Sequence, residues 1–211
     1  MPHASLKDQA YTHLKQSILD GTYPDGALLT ERTLSEALAM SRTPIRAAVD
    51  RLEQEGYLHC APNRGITVQE ITLRQAKDFF DFRIALECHA VRQLAGMHLP
   101  VGDRECIDAN LAAQADCVRD NELIAFTRHD SAFHRLLVGL YGNQEMIRTM
   151  DRLQDMLFRS ALTVLRRDPG RIIASQEDHA AIWDAVVRQD ADKAAALVRA
   201  HLDYGMSILI R

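Results

Sequence analysis

Four side chains that could bind a metal ion occupy inward positions of predicted helices in the second half of the chain. Asp130 and His134 are four residues apart, so an α-helix carries them on one side in adjacent turns. His179 and His201 fall on the apolar sides of two later helical segments. Three imidazole nitrogens and one carboxylate oxygen suit a divalent metal ion such as Zn, Ni or Mn, and this donor set does not single out one of them.

The apolar surroundings of these side chains decide how the pattern is interpreted. Asp130 interrupts a stripe of helical spacing made of Leu123, Phe126, Phe133, Leu137 and Tyr141. A buried carboxylate needs a compensating partner, and a metal ion is one such partner. A lone inward histidine is more commonly a hydrogen-bonded core residue than a ligand, so purely structural histidines are the alternative. Three of them with an aspartate favour a shared metal site.

A second group of side chains suits contact with DNA. The stretch 28–56 predicts two short helices around a corner at residues 40–41, and the second helix is predicted to begin near Arg42, with Ser41 as its N-cap and Pro44 in its first turn. Arg42, Thr43 and Arg46 then lie on the exposed N-terminal part of that helix, where a helix-turn-helix contacts base edges. Two amphipathic helices around a corner also occur in proteins that do not bind DNA, so a solvated arginine face is the alternative.

The flanking segments extend this unit to a winged helix. A first helix is predicted over residues 5–20, a turn over 21–26, and two short strands between 57 and 68 with Arg64 at the tip of their turn. Thr30 is predicted to cap the helix that begins at Glu31. Arg32 could contact a phosphate, or it could pair with Glu36 at i,i+4 spacing.

Composition limits the classes of protein to which the chain can belong. The 211 residues are 47% hydrophobic and carry a formal net charge of −4, which is the wrong sign for indiscriminate coating of nucleic acid. Residues 1–70 hold seven Lys and Arg against nine Asp and Glu, so DNA affinity must come from placement of the arginines. No membrane-spanning run or secretion signal is found, and we expect a cytoplasmic protein. The four cysteines, none in a Cys-x-x-Cys pair, are expected to be core thiols.

Helical periodicity continues from residue 72 almost to the end of the chain. Its breaks define six predicted helices, at 72–97, 101–118, 121–141, 143–166, 170–188 and 190–210. The predicted fold is therefore mainly α, with an N-terminal winged helix-turn-helix that includes a small β-hairpin and a C-terminal all-α six-helix bundle. The predicted domains are 1–68 and 72–211, joined by the short link 69–71, which favours mechanical coupling.

The first 70 residues resemble the GntR family of bacterial transcription regulators. The matching positions are Gly21, Pro24, Gly26, Leu29, Glu31, Leu34, the run from Ser41 to Arg46, Leu52, Glu55, Gly56 and Gly65. The chain departs from the family pattern at Ala47 and Val49, where Glu and Leu are more usual. The candidate DNA-binding residues are Arg32, Ser41, Arg42, Thr43, Pro44, Arg46, Arg64 and Gly65.

The remainder of the chain resembles the FCD effector domain of the FadR subfamily of those regulators. In that domain an Asp, a His four residues later and two His on later helices bind the metal, which matches Asp130, His134, His179 and His201. Six bundle helices are similar to the VanR-type branch. Arg83 is a candidate contact for a small carboxylate effector, with an ion pair to Glu87 as the alternative.

The resemblance implies a regulator that binds double-stranded operator DNA as a homodimer and senses a small carboxylate at the metal site. A metal-dependent hydrolase or lyase is a second hypothesis, although no paired acid–base motif such as His-Glu-x-x-His is present. An interaction scaffold with structural histidines is a third.

Overall fold

The order of elements in the computed structural model, which describes residues 5–61 and 65–210, follows the order predicted from periodicity. The elements are α1 (Leu6–Leu19), β1 (Leu28–Leu29), α2 (Glu31–Leu38), α3 (Arg42–Gln54), β2 (Leu58–Ala61), β3 (Gly65–Val68), α4 (Leu73–Ala95), α5 (Val101–Asp120), α6 (Leu123–Tyr141), α7 (Gln144–Arg152), α8 (Gln154–Arg167), α9 (Arg171–Val187) and α10 (Ala191–Leu209). Their contacts divide the chain into two units, Met1–Ile71 and Thr72–Arg211.

The corner between α2 and α3 shows how the first unit presents its second helix. Thr30 caps α2 and exchanges hydrogen bonds with Thr33, as the sequence predicts for a cap. Helix α2 ends at Ala39, whose φ of 51° turns the chain sharply. Helix α3 begins at Arg42 as predicted, with Ser41 in the N-cap position. The prediction that the Ser41 hydroxyl accepts a hydrogen bond from the first turn is wrong, because its side chain makes no cap hydrogen bond.

A small antiparallel sheet follows α3, in the order β1-β3-β2. The sequence predicts only the β2–β3 hairpin, because the two residues of β1 are too few to show alternation; β1 pairs Leu29 with Ile66 of β3. Gly65 begins β3 at a φ of 90°, and a Cβ there would lie 3.0 Å from the backbone oxygen of Leu29. Glycine is therefore required for this backbone conformation and close approach. Arg64 lies outside the described residues.

Seven helices lie between residues 72 and 210, where the sequence predicts six. The segment predicted as one helix over 143–166 is divided at Leu153, which has φ −93° and ψ 1°. Periodicity does not reveal this break, because Leu153 is neither Gly nor Pro and the apolar pattern continues across it. The predicted count of six is wrong, and the VanR-type branch, which was inferred from that count, stays a prediction.

The second unit is built around α4 and α10, which pack along each other. Gly205 of α10 permits this approach, since a Cβ there would lie 3.1 Å from the ring of Phe80. Helices α6, α8 and α9 pack against this pair of helices. Cys88 and Cys117 are buried as expected, whereas Cys106 is exposed and Cys60 only half-buried. Within the described ranges, no helix has the length and apolar character needed to cross a membrane.

Candidate metal centre and DNA-binding surface

The four predicted ligands meet in the core of the second unit. One donor atom from each of Asp130, His134, His179 and His201 lies within 4.8 Å of the others, and all four residues are buried. The Nε2 atoms of His179 and His201 are 3.4 Å apart, and Asp130 Oδ1 is 3.6 Å from His179 Nε2. Bonds of about 2.0–2.1 Å to a tetrahedral zinc ion imply ligand separations of about 3.4 Å. The closer separations in the cluster therefore fit a metal centre.

A chain of hydrogen-bonded amide side chains determines which ring nitrogen of His179 carries the proton. The backbone oxygen of His129 can only accept, so the Asn110 side chain donates to it through Nδ2 at 3.1 Å. Asn110 Oδ1 then accepts from Gln114 Nε2 at 2.7 Å, which turns Gln114 Oε1 towards His179 Nδ1 at 2.8 Å. Because that oxygen accepts, the proton of His179 lies on Nδ1. The Nε2 lone pair is left for a metal ion.

The other two imidazoles are oriented by carboxylates. His134 Nδ1 lies 2.6 Å from Glu87 Oε2, and His201 Nδ1 lies 3.1 Å from Asp178 Oδ2. Arg171 approaches the same His201 nitrogen at 2.9 Å and also bonds Asp178 at 2.5 Å. Arg171 Nη2 has two N–H groups and donates one of them to Asp178, whose carboxylate can also accept from His201 Nδ1. With His201 Nδ1 donating to Asp178, all three imidazoles carry their proton on Nδ1.

The electrostatics of the cluster keep His179 and His201 neutral and ready to bind a cation. Burial, followed by the nearby His201, lowers the pKa of His179 well below its usual value, and burial lowers the pKa of His201. Burial by itself would raise the pKa of Glu87, but the Arg83 guanidinium and His134 lower it to about 2. Glu87 is therefore a carboxylate that can hold the Nδ1 proton of His134.

Two buried polar atoms next to the cluster have no hydrogen-bond partner within residues 5–61 and 65–210. They are Nε2 of His134 and Nη2 of Arg83, and both residues line a cavity of about 30 Å³ that also touches Asp130, Arg171 and His201. One of these atoms offers a lone pair and the other an N–H. The cavity is therefore suited to a cation beside an anion.

The exposed face of α3 forms the second candidate site. Arg42, Thr43 and Arg46 are exposed and line one shallow depression with Ala47 and Asp50. Ile45, Ala48, Val49 and Leu52 point into the core of the unit. Pro44 is buried in the first turn of α3, and its role in DNA binding stays a prediction. In the structure, Pro44 is one of the buried residues that pack α3 against the rest of the unit.

Comparisons with known proteins cover both units of the chain. The model of the family described as bacterial regulatory proteins, gntR family, matches residues 6–68, and the model of the FCD domain matches residues 78–204. The chain belongs to the GntR family. In the FadR-type subfamily this helix-turn-helix unit is joined to an FCD domain. The family and the fold class predicted from the sequence are thereby confirmed.

Relatives and solved structures cover most of this GntR chain. It is 26% identical over 210 residues to the HTH-type transcriptional repressor RspR of Escherichia coli, covering 95% of this chain and 87% of the relative. It is 30% identical over 194 residues to an HTH-type transcriptional regulator of Streptomyces ambofaciens, covering 91% and 80%. The structure of McbR/YncC from E. coli matches with a TM-score of 0.75 at 22% identity, covering 98% and 97%. The relatives are transcriptional regulators, which removes the enzyme hypothesis.

Several residues around the candidate metal centre could not be assigned from the sequence. The ion-pair alternative for Arg83 is present, with its Nε 2.6 Å from Glu87 Oε1, but Glu87 also holds His134 from another helix. The sequence does contain a signal for Gln114, because this polar residue lies with Asn110 on the side of α5 that carries the apolar residues. Asp178 and Arg171 showed no pattern in the sequence, because their role depends on how α9 meets α10.

Proposed function

We propose that this GntR regulator binds operator DNA as a homodimer and that a small carboxylate effector, bound beside a metal ion in the helical unit, alters that binding. The observation that carries the effector part is the pair of buried atoms without partners, His134 Nε2 and Arg83 Nη2, next to one cavity. A cation satisfies the nitrogen lone pair, and a carboxylate oxygen accepts from the guanidinium.

Each residue of the centre has a defined part in this proposal. Asp130, His134, His179 and His201 hold a divalent metal ion, which supplies a Lewis-acid position for a carboxylate oxygen. Arg83 donates to the other carboxylate oxygen. A cavity of about 30 Å³ has room for about two water molecules, and a carboxylate group is of comparable size.

The DNA-binding part of the proposal uses the N-terminal end of α3. Arg42, Thr43 and Arg46 face the major groove, while the backbone amides at the start of α3, which no side chain caps, and the Ser41 hydroxyl face a phosphate. Arg32 lies on α2 with an exposed guanidinium 3.3 Å from Glu36, so the predicted pair exists at the surface and opens at little cost when Arg32 meets a phosphate. From the sequence pattern we also propose that Arg64 and Gly65 contact DNA.

The expectation of dimeric binding follows from the energetics of a single helix-turn-helix unit on DNA. One helix-turn-helix contacts only a few base pairs, and genomic DNA offers a very large number of competing sites. Two copies on an inverted repeat double the number of specific contacts. An effector then controls binding if it has different affinities for the two arrangements of the dimer.

A thermal-shift screen of small carboxylates, with zinc-loaded protein and with chelator-treated protein, tests the effector part. We expect a ligand to raise the melting temperature only of the metal-loaded protein, because it binds the native state through the ion. The Arg83→Ala variant should lose this shift, and Arg188→Ala, which removes an exposed arginine of the same unit, should keep it. A shift that survives chelation would contradict a metal-bound carboxylate.

A further inference from the structure

The strongest polar contact on the DNA-binding face joins the two helices of the helix-turn-helix. Arg46 of α3 donates from Nε and Nη2 to the two carboxylate oxygens of Glu31, the first residue of α2, at 2.8 Å each. Such a two-bonded pair has fixed geometry, unlike most surface ion pairs. The exposed pairs of Arg32 with Glu36 and of Arg51 with Glu55 join residues four apart in the chain and use one hydrogen bond each. Glu31 therefore constrains Arg46 in a way that the other pairs do not constrain their arginines.

The bonds to Glu31 leave the outer edge of the Arg46 guanidinium available. A guanidinium has two edges that each present two parallel N–H groups, one formed by Nε and Nη2 and the other by Nη1 and Nη2. Glu31 occupies the first edge. The second edge belongs to a side chain that remains 63% exposed, and it matches the paired O6 and N7 acceptors of guanine. Arg46 can thus hold its carboxylate and contact a base at the same time.

The position of Glu31 is itself well determined. It is the first residue of α2, directly after Thr30, whose reciprocal hydrogen bonds with Thr33 cap the helix, and the helix dipole favours a negative charge there. The hydrogen bond from Arg46 lowers the pKa of Glu31, and the charge of Arg42 acts in the same direction. The carboxylate is therefore ionised under the conditions in which DNA is bound.

We propose that Glu31 is a positioning residue that sets the base preference of Arg46 by holding its guanidinium edge-on towards the major groove. This inference rests on the proposed DNA binding. An arginine without this restraint can swing to a neighbouring phosphate, which carries no sequence information. Glu31 also places a negative charge next to the DNA backbone, so it should reduce affinity for unrelated DNA while it increases discrimination between bases.

The test is a selection of bound sequences from a pool of random double-stranded oligonucleotides with full-length protein. It compares the wild type, Glu31→Gln, Arg46→Ala and the double variant. Glu36→Gln serves as the matched control, because it removes the same charge from the same helix. Thermal unfolding of each variant checks that the surface substitutions leave the fold intact. Affinity for an unrelated duplex is measured in parallel.

We expect Arg46→Ala to abolish base preference at one position of each half-site, where the wild type discriminates about 5-fold to 150-fold. Glu31→Gln should reduce preference at that same position, strengthen binding to unrelated DNA, and have no further effect when Arg46 is already Ala. Glu36→Gln should leave that position unchanged. An unchanged preference in Glu31→Gln, or a loss at a different position, would overturn the inference. A wild type that selects no sequence at all would instead overturn the proposed DNA binding.

Discussion

Replacement of Glu87 by Gln tests how the structure sets the proton positions of the candidate metal centre. Glu87 is fully buried and accepts from Arg83 Nε and from His134 Nδ1, at 2.6 Å each. Glutamine has the same size but only one oxygen, so it can accept from one of the two donors. If the oxygen faces His134, the buried guanidinium loses its counter-charge. If it faces Arg83, the amide N–H meets His134 Nδ1 and moves the imidazole proton to Nε2, where it blocks a metal ion.

The expected magnitudes follow from these two outcomes. Removal of one partner of a buried ion pair costs about 3–5 kcal/mol, because the remaining charge is left without compensation. Loss of a group that orients a metal-binding histidine lowers metal affinity by about 10-fold to 100-fold. Glu87→Gln should therefore lower both the free energy of unfolding of the metal-free protein and the affinity for zinc.

Urea unfolding of chelator-treated protein measures the first quantity, and competition with a chromophoric chelator measures the second. Asp184→Asn is the matched control, since it removes a carboxylate from an exposed pair with Arg188 in the same unit. It should change the free energy of unfolding by less than about 1 kcal/mol and leave zinc affinity unchanged. A Glu87→Gln protein with wild-type zinc affinity would refute the assignment of the His134 proton to Glu87.

Three further perturbations give separable results. Replacement of His201 by Ala should deplete the purified protein of metal in elemental analysis, while replacement of the exposed His98 should not; full occupancy in the first variant would remove His201 from the site. Metal-free protein should lose stability as the pH falls below about 6.5, because the lowered pKa values of His179 and His201 mean that the unfolded chain binds protons that the native chain does not; equal urea midpoints at about pH 7.5 and 5.5 would contradict this. Gly65→Ala should destabilise the winged unit by about 1–3 kcal/mol through backbone strain, and Gly102→Ala, with open space around its Cβ position, should be tolerated.

Local patterns in the sequence were sufficient to predict most helices and strands and to predict which residues share one side of a helix. The spacing of Asp130 and His134 placed both on one side of α6, since four residues make about one turn. The exposed face of α3 followed from the apolar residues that fix its other side. Leu153 and β1 were missed because a one-residue break and a two-residue strand leave no periodic signal.

The tertiary structure alone decided how close the predicted ligands lie to one another and which residues surround them. His179 and His201 are far from Asp130 along the chain, and only the packing of α6, α9 and α10 brings their donor atoms within 4.8 Å. The partners Glu87, Gln114 and Asp178, which place the imidazole protons, likewise come from other helices or other turns. Periodicity states which side of a helix is buried, but a proton position or a bond between two helices depends on atomic distances. Those distances are set by the packing of whole helices against each other.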